Sequence, residues 1–473
     1  MNYDVVSDSR LAVFLRRQIN LRQINNPKLK PLRLCGYQII KQLGAIPSVF
    51  LLSDGEDEDA KSRIFGVASC HSAWACPKCM PIVMAQKGTD IACAIDALAV
   101  KQILPMMITF TLPHHRYMSC EDSYTILQET WRHFTRDTKR HKVIKYKLKL
   151  DINEKNTRGG KAVGKKGEER IYLKGNNVWG GFREDFKITH SVRTYEFTWS
   201  EKNGWHPHIH ALFWTHKSNF DKVIEREQEL CDFWWYCAKF EALKYYNKKE
   251  PNKKEENKKL VEEFYTEWRK KSKDGHMSLY ISKDKDNPNK ARVVNSSFYI
   301  AGWSGDAELT ASNYKSAAPG HLTPYQMLKM AYDDARLIDK FIPLYLEYCN
   351  ATFKHRRVEF SKTGINKIIK AWKQTLQFKE IIKKKFTEKL GGDRKFKVVY
   401  WFSENQWKQI MYLEATTDEE IVPELLLLAK RKDCRAEIDK LLLSYGIPLC
   451  HIENPLIKHV EEKVFENRFK IAS

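Results

Sequence analysis

Apolar and polar residues alternate most clearly in three stretches: "PMMITFTL" (105–112), "VRTYEFTW" (192–199) and "HPHIHALFW" (206–214). Period-two alternation rich in Thr, Ile, Phe and Val predicts half-buried strands. The intervening "EKNG" (201–204) predicts a turn that joins the last two as a hairpin. Helical periodicity runs through "AQKGTDIACAIDALAV" (85–100), "SYTILQETWRHFTRDTKR" (123–140), residues 222–246 and "EIDKLLLSYG" (437–446), and "FKVVYWF" (396–402) predicts one further strand. Residues 1–30 are basic and weakly patterned. Residues 151–185, which include "RGGKAVGKKGEER", are rich in Gly, Lys and Asn and read as a surface insertion or long loop. "NKKEPNKKEENKK" (247–259) reads as a charged, flexible excursion with a solvated face, and no internal repeat is present.

The hairpin carries candidate chemistry. In its second strand His206, His208, His210 and Leu212 share one face, while Ile209, Ala211 and Phe213 share the other. In the first strand Thr194, Glu196 and Thr198 share a face, with Tyr195, Phe197 and Trp199 behind. A turn near Lys202 sets Glu196 opposite His208, or opposite His210 if the register shifts by two. Directly paired residues lie on one side of a sheet, about 5 Å apart at Cβ. Glu196, His208 and His210 therefore converge as two nitrogens and a carboxylate, a donor set for a mononuclear Mn²⁺ or Mg²⁺ site. His206 is expected to orient a ligand or contact backbone rather than bind the ion.

Composition narrows the class. The 473 residues hold 81 Lys and Arg against 59 Asp and Glu, a formal charge of +22, which points to a polyanionic partner. The longest apolar block, "LLLLA" (425–429), is too short to span a bilayer, and the first residues lack the order of a signal peptide. The expectation is a cytoplasmic protein with no membrane partner. Eleven cysteines in so long a chain are not a secreted disulfide scaffold. "CHSAWACPKC" supplies Cys70, Cys76 and Cys79, and Cys35 of "RLCGYQ" supplies a fourth thiolate. Four such ligands suit a closed structural Zn²⁺ site, with His71 as the alternative to Cys35.

"GWHPHIHALF" after "VRTYEFTW" resembles the HUH endonucleases, and within them the rolling-circle replication initiator (Rep) proteins of plasmids. "MMITFTLPHH", with Thr109 and Thr111 facing one way and His114 just past the strand, resembles the family's leading strand motif. "CHSAWACPKC" with the earlier "LCG" resembles its N-terminal cysteine element. The resemblance covers roughly residues 31–365. It implies an α+β fold, with a central antiparallel sheet (a ferredoxin-like palm) flanked by helices, an N-terminal zinc-binding element and a mainly helical C-terminal region. It also implies a tyrosine nucleophile in a Y-x-x-K setting. "YISK" (280–283) matches literally but alternates like a strand. "NSSFYIAGWSGDAELT" has capping residues Asn295 and Ser296 before its tyrosine and is followed by "HLTPYQML", in the family's order, so Tyr299 is the first choice and Tyr280 the second. Gly302 stands where the family has lysine, with Lys315 the candidate to replace that charge, and Asn295 stands where some relatives have a glutamate used in termination.

These readings imply a plasmid replication initiator that nicks and joins single-stranded DNA at an origin through a 5′-phosphotyrosine, with host helicase and DNA polymerase as partners. The alternatives are a transposase or mobilisation relaxase of the same fold, or a non-catalytic zinc protein that regulates by binding DNA. The expected organisation is a basic segment at 1–30, the zinc element at 31–95, the catalytic domain at 96–350 and an accessory DNA- or partner-binding region at 351–473.

Overall fold

The structure is a computed structural model that describes residues 5–40, 48–57, 60–135, 182–273, 279–283, 291, 293, 319–376, 378, 380, 396–449 and 460. Two compact units result: Leu98–Asn295 with Val358–Ile365, and Met1–Ala97 with Ser296–Arg357 and Asn366–Ser473. The architecture is mixed α+β with antiparallel sheets.

Strand β1 is Ser48–Ser53, β2 Ser62–Phe65, β3 Ile103–Thr111, β4 His190–Ser200, β5 Gly204–His216, β6 Leu279–Ile281, β7 Val358–Phe360 and β8 Lys397–Ser403. In the first unit five of these form an antiparallel sheet in the order β6-β3-β5-β4-β7. The period-two pattern divides this sheet into two chemically distinct faces. Ile108 and Phe110 of β3, Ile209, Ala211 and Phe213 of β5, Tyr195 and Phe197 of β4, and Leu279 and Ile281 of β6 are all buried on the back. Helices Cys120–Thr135 and Glu227–Lys249 pack there. Phe110 is the hub of the aromatic core, with ring centroids 4.7 Å from Trp234, 5.2 Å from Phe134 and 5.4 Å from Trp131. Burying rings of this size is the main source of this unit's stability.

The β4–β5 hairpin turns at Glu201–Asn203, and Gly204 opens β5 at a φ of +74°. A Cβ on Gly204 would sit 2.9 Å from the Arg116 carbonyl oxygen, so only glycine allows that close approach. The register that follows is fixed by this turn.

In the second unit β2-β1-β8 form a three-stranded antiparallel sheet. Val49, Leu51, Tyr400 and Phe402 of that sheet pack with Trp407, Ile410, Ile421, Leu425, Ile438 and Leu442 from helices Glu404–Thr416, Ile421–Leu428 and Cys434–Ser444. Helix Pro324–Asp333 starts at Thr323, whose hydroxyl accepts from the Gln326 N–H in a reciprocal capping box, as "HLTPYQML" encodes.

Two local expectations are corrected. The weakly patterned N-terminal stretch contains a helix, Val5–Gln23, whose Leu11, Phe14, Leu15 and Ile19 are buried. Its periodicity is obscured because Asp8, Arg16 and Gln18 are buried beside them. The charged run at 247–259 is not a flexible excursion. Helix Glu227–Lys249 ends inside it, Pro251–Lys253 makes a 3₁₀ turn, and helix Lys254–Lys273 begins. Of the insertion expected at 151–185, residues 151–181 lie outside the described residues, while Phe182–Asp185 is a helical turn with Phe182 buried.

Candidate functional site

The front face of the five-stranded sheet carries the polar residues singled out in the sequence. Glu196 pairs directly with His208, Thr194 with His210 and Thr198 with His206 across the hairpin. On the other side of β5, His208 pairs with Thr111 and His210 with Thr109. Two parallel rows run across the strands as a result: Thr111–His208–Glu196 and Thr109–His210–Thr194.

Side-chain contacts tie these rows together. The Thr111 hydroxyl lies 3.1 Å from His208 Nδ1, and the Thr109 hydroxyl lies 3.0 Å from His210 Nδ1. His210 Nε2 donates to Glu196 Oε2 at 2.7 Å. The two imidazoles are nearly parallel, 22° apart in plane with centroids separated by 6.4 Å. Each histidine thus has one nitrogen engaged by a threonine of β3, the outer-shell arrangement that fixes ring orientation in histidine metal sites. Glu196, His208 and His210 are neither fully buried nor fully exposed, so the face is open to a ligand. Two imidazoles and a carboxylate are donor types that a divalent ion of the Mn²⁺ or Mg²⁺ kind takes, although their ligand atoms do not all lie within 4.8 Å of one another.

His206 is buried and turned to other partners. Its Nε2 lies 3.1 Å from the Ser200 hydroxyl, and its ring centroid is 3.8 Å from that of His114. His114 Nδ1–H in turn donates to the Leu112 carbonyl at 3.0 Å. The pair closes the sheet's end beside the candidate ligands.

Of the two tyrosines, Tyr299 lies outside the described residues, as do Asn295, Gly302 and Lys315. Tyr280 is on β6, in register with Thr109, and is half exposed. Lys283, three residues on, is ion-paired to Glu227 at 2.8 Å. Glu227 also accepts from the Ile281 N–H at 3.2 Å.

In the second unit Cys35, Cys70, Cys76 and Cys79 bring their sulfurs within 4.8 Å of one another, the one such group of donors among the described residues. Cys35 Sγ is 3.4 Å from Cys79 Sγ and 3.6 Å from Cys76 Sγ. Tetrahedral coordination with Zn–S near 2.3 Å requires sulfurs about 3.8 Å apart, so the set fits that ion. His71, the alternative ligand, is exposed at a φ of +50° and is not part of the group. Hydrogen bonding with Cys70 first, and then with Cys76 and Cys79, holds the Cys35 thiol well below the usual thiol range. Cys70 and Cys76 are pushed up, chiefly by their hydrogen bonds with Cys35. A metal cation would replace the protons these sulfurs share.

The loop holding the cysteines is braced by residues that no local motif signals. Three consecutive carbonyls accept side-chain hydrogen bonds: Ala73 from Arg357 at 3.2 Å, Trp74 from Tyr348 at 3.3 Å and Ala75 from Tyr345 at 2.7 Å. Tyr345 and Tyr348 belong to helix Ile338–Ala351, and the Trp74 indole N–H donates to the His355 carbonyl at 2.8 Å.

Among curated proteins the chain is similar to "Protein rep" of Streptomyces lividans, with 23% identity over 323 residues, covering 64% of each chain. The match thus spans a little under two thirds of that relative's length. No protein-family model matches the chain, and no solved structure matches it.

Proposed function

We propose that the protein is a Rep-type replication initiator acting as an HUH endonuclease, which nicks and rejoins single-stranded DNA at a plasmid origin. The observation that carries this reading is the pair of threonine–histidine contacts facing Glu196 on one side of a sheet whose reverse is mostly apolar and packed by helices. The similarity to a protein named rep and the formal charge of +22 support it.

Glu196, His208 and His210 would hold Mn²⁺ or Mg²⁺, which would supply Lewis-acid stabilisation of charge on a non-bridging phosphate oxygen. The threonines make the histidines competent for this. A hydroxyl can accept or donate, so Thr109 can accept a hydrogen bond from His210 Nδ1–H when Nε2 is needed as a ligand. Thr111 does the same for His208.

Tyr299 is the nucleophile, with Tyr280 the second choice. The phenolic oxygen attacks phosphorus in line. A bond from phosphorus to the tyrosyl oxygen forms, the bond to the 3′ oxygen breaks, and that oxygen takes up the proton the phenol gives up. The products are a 5′-phosphotyrosine and a 3′-hydroxyl that primes a polymerase. Later attack by a 3′-hydroxyl reseals the strand without ATP, because each step exchanges one phosphodiester for another. The four cysteines would hold a structural zinc ion, host helicase and polymerase would use the opened strand, and the accessory region 351–473 would contact origin DNA or these partners.

The test is covalent capture. The full chain, incubated with Mn²⁺ and a pool of random single-stranded oligonucleotides, should yield an adduct that survives SDS and heat. Tyr299→Phe and His208→Ala should each abolish it. An adduct that persists in Tyr299→Phe refutes that nucleophile, and no adduct with any sequence refutes nicking.

A further inference from the structure

Tyr280 has a place on the sheet that its match to a Y-x-x-K phrase does not explain. In a strand, residues three apart point to opposite faces, whereas in a helix they share one. Lys283 is engaged by Glu227 of the helix packed on the back of the sheet. Tyr280 pairs with Thr109, so it shares the front face with Thr109, His210 and Thr194 in one cross-strand row. The tyrosine and the lysine therefore do not act on one phosphate.

Three observations define what Tyr280 offers instead. Its strand is the edge of the five-stranded order. Its ring is 50% exposed. Adjacent strands lie about 4.8 Å apart, which puts Tyr280 two strands and roughly 10 Å from His210 across the face. An aromatic ring at that distance from a phosphate-binding centre is within a nucleotide step or two of the reacting group. Every base has a π-face, so a tyrosine there binds single strands with little regard to sequence.

We infer that Tyr280 is a substrate-binding residue, stacking on a base that flanks the scissile phosphate and so setting the strand's register over Glu196, His208 and His210. The inference rests on the nicking reading for its substrate. Stacking needs the ring and not the hydroxyl, which separates it from nucleophilic attack.

The experiment uses the full chain and a cleaved oligonucleotide, with binding to the same strand measured separately in EDTA by fluorescence anisotropy. Tyr280→Phe and Tyr280→Trp should keep both adduct formation and affinity. Tyr280→Ala should weaken binding and raise KM about 5- to 100-fold, the usual worth of one stacked base, with kcat little changed. An abasic site stepped through the oligonucleotide should cost wild type the same factor at one position near the nick, and cost Tyr280→Ala nothing further there. Loss of the adduct in Tyr280→Phe would overturn the inference in favour of a nucleophile. Unchanged affinity in Tyr280→Ala, or no position at which the two losses merge, would also overturn it. If wild type binds single strands, forms no adduct and still loses affinity in Tyr280→Ala, the stacking role stands and the nicking reading alone fails.

Discussion

At the scale of single residues, the histidines are less informative than the hydroxyls beside them. Thr109 and Thr111 are isosteric with valine, and valine suits a strand at least as well. Thr109→Val and Thr111→Val should therefore leave the sheet folded while releasing the imidazoles. Affinity for Mn²⁺, read by titration against the paramagnetic signal, is expected to fall about 10- to 100-fold in each, as for other outer-shell partners. Retention of full affinity would show that the threonines do not orient the rings. The second unit contains a different residue-scale device. Glu414 is fully buried, accepts from the Tyr37 hydroxyl, and takes the Val422 N–H at 2.6 Å. Burial raises its carboxyl from 4.5 to about 7, against the opposing pull of Arg16. Between those values the folded chain holds a proton that the unfolded chain has released, so stability falls as pH rises through the window. Thermal unfolding at pH 5 and pH 8 should show that decline in wild type and a flatter profile in Glu414→Gln, which keeps a neutral side chain throughout.

At the scale of elements, the cysteine loop and the β4–β5 hairpin contrast in what holds them. The hairpin is encoded locally: period-two alternation fixes the faces, and Gly204 fixes the turn. The cysteine loop depends on distant help, since Tyr345, Tyr348 and Arg357 satisfy its carbonyls from well over two hundred residues away. Tyr345→Phe should cost about 1 to 3 kcal/mol in denaturant unfolding, because it leaves the buried Ala75 carbonyl without its donor. Purified protein is expected to carry about one zinc per chain by elemental analysis. Cys70→Ser should lose that zinc and unfold at lower temperature. A metal-free Cys70→Ser chain with unchanged stability would contradict a structural role. The charged run at 247–259 teaches the same point from the other side. Its composition reads as solvated, yet the i,i+4 pair Lys259–Glu263 at 4.0 Å inside helix Lys254–Lys273 shows how such residues support helices.

At the scale of the whole molecule, the charge of +22 predicts how binding responds to salt. The logarithm of affinity for single strands should fall linearly with the logarithm of salt concentration, by about 0.7 per phosphate contacted. A slope near zero would argue against a nucleic-acid partner. Much of the first unit was readable along the chain: strands β3, β4 and β5, the helices behind them, and the placement of Glu196, His208 and His210 on one face. The reason is that short-range alternation and one turn determine which residues share a face. The helix at Val5–Gln23 was not readable, because buried Arg16 and Gln18 break its apolar stripe, and Arg16 finds its partners, the Arg33 and Cys35 carbonyls, only in the folded unit. Nor was the pairing of β1 with β8, which joins Ser48–Ser53 to Lys397–Ser403. A short apolar run declares that it will be buried but not against what, and nothing local selects a partner some 350 residues on. The sequence by itself determined which residues share each face of the sheet and that Cys70, Cys76 and Cys79 cluster. Only the tertiary structure decided that threonines hold the histidines, that Cys35 rather than His71 completes the sulfur cluster, and that Tyr280 stands in the row of His210 while Lys283 does not, because those outcomes depend on the register between strands and on packing across long separations.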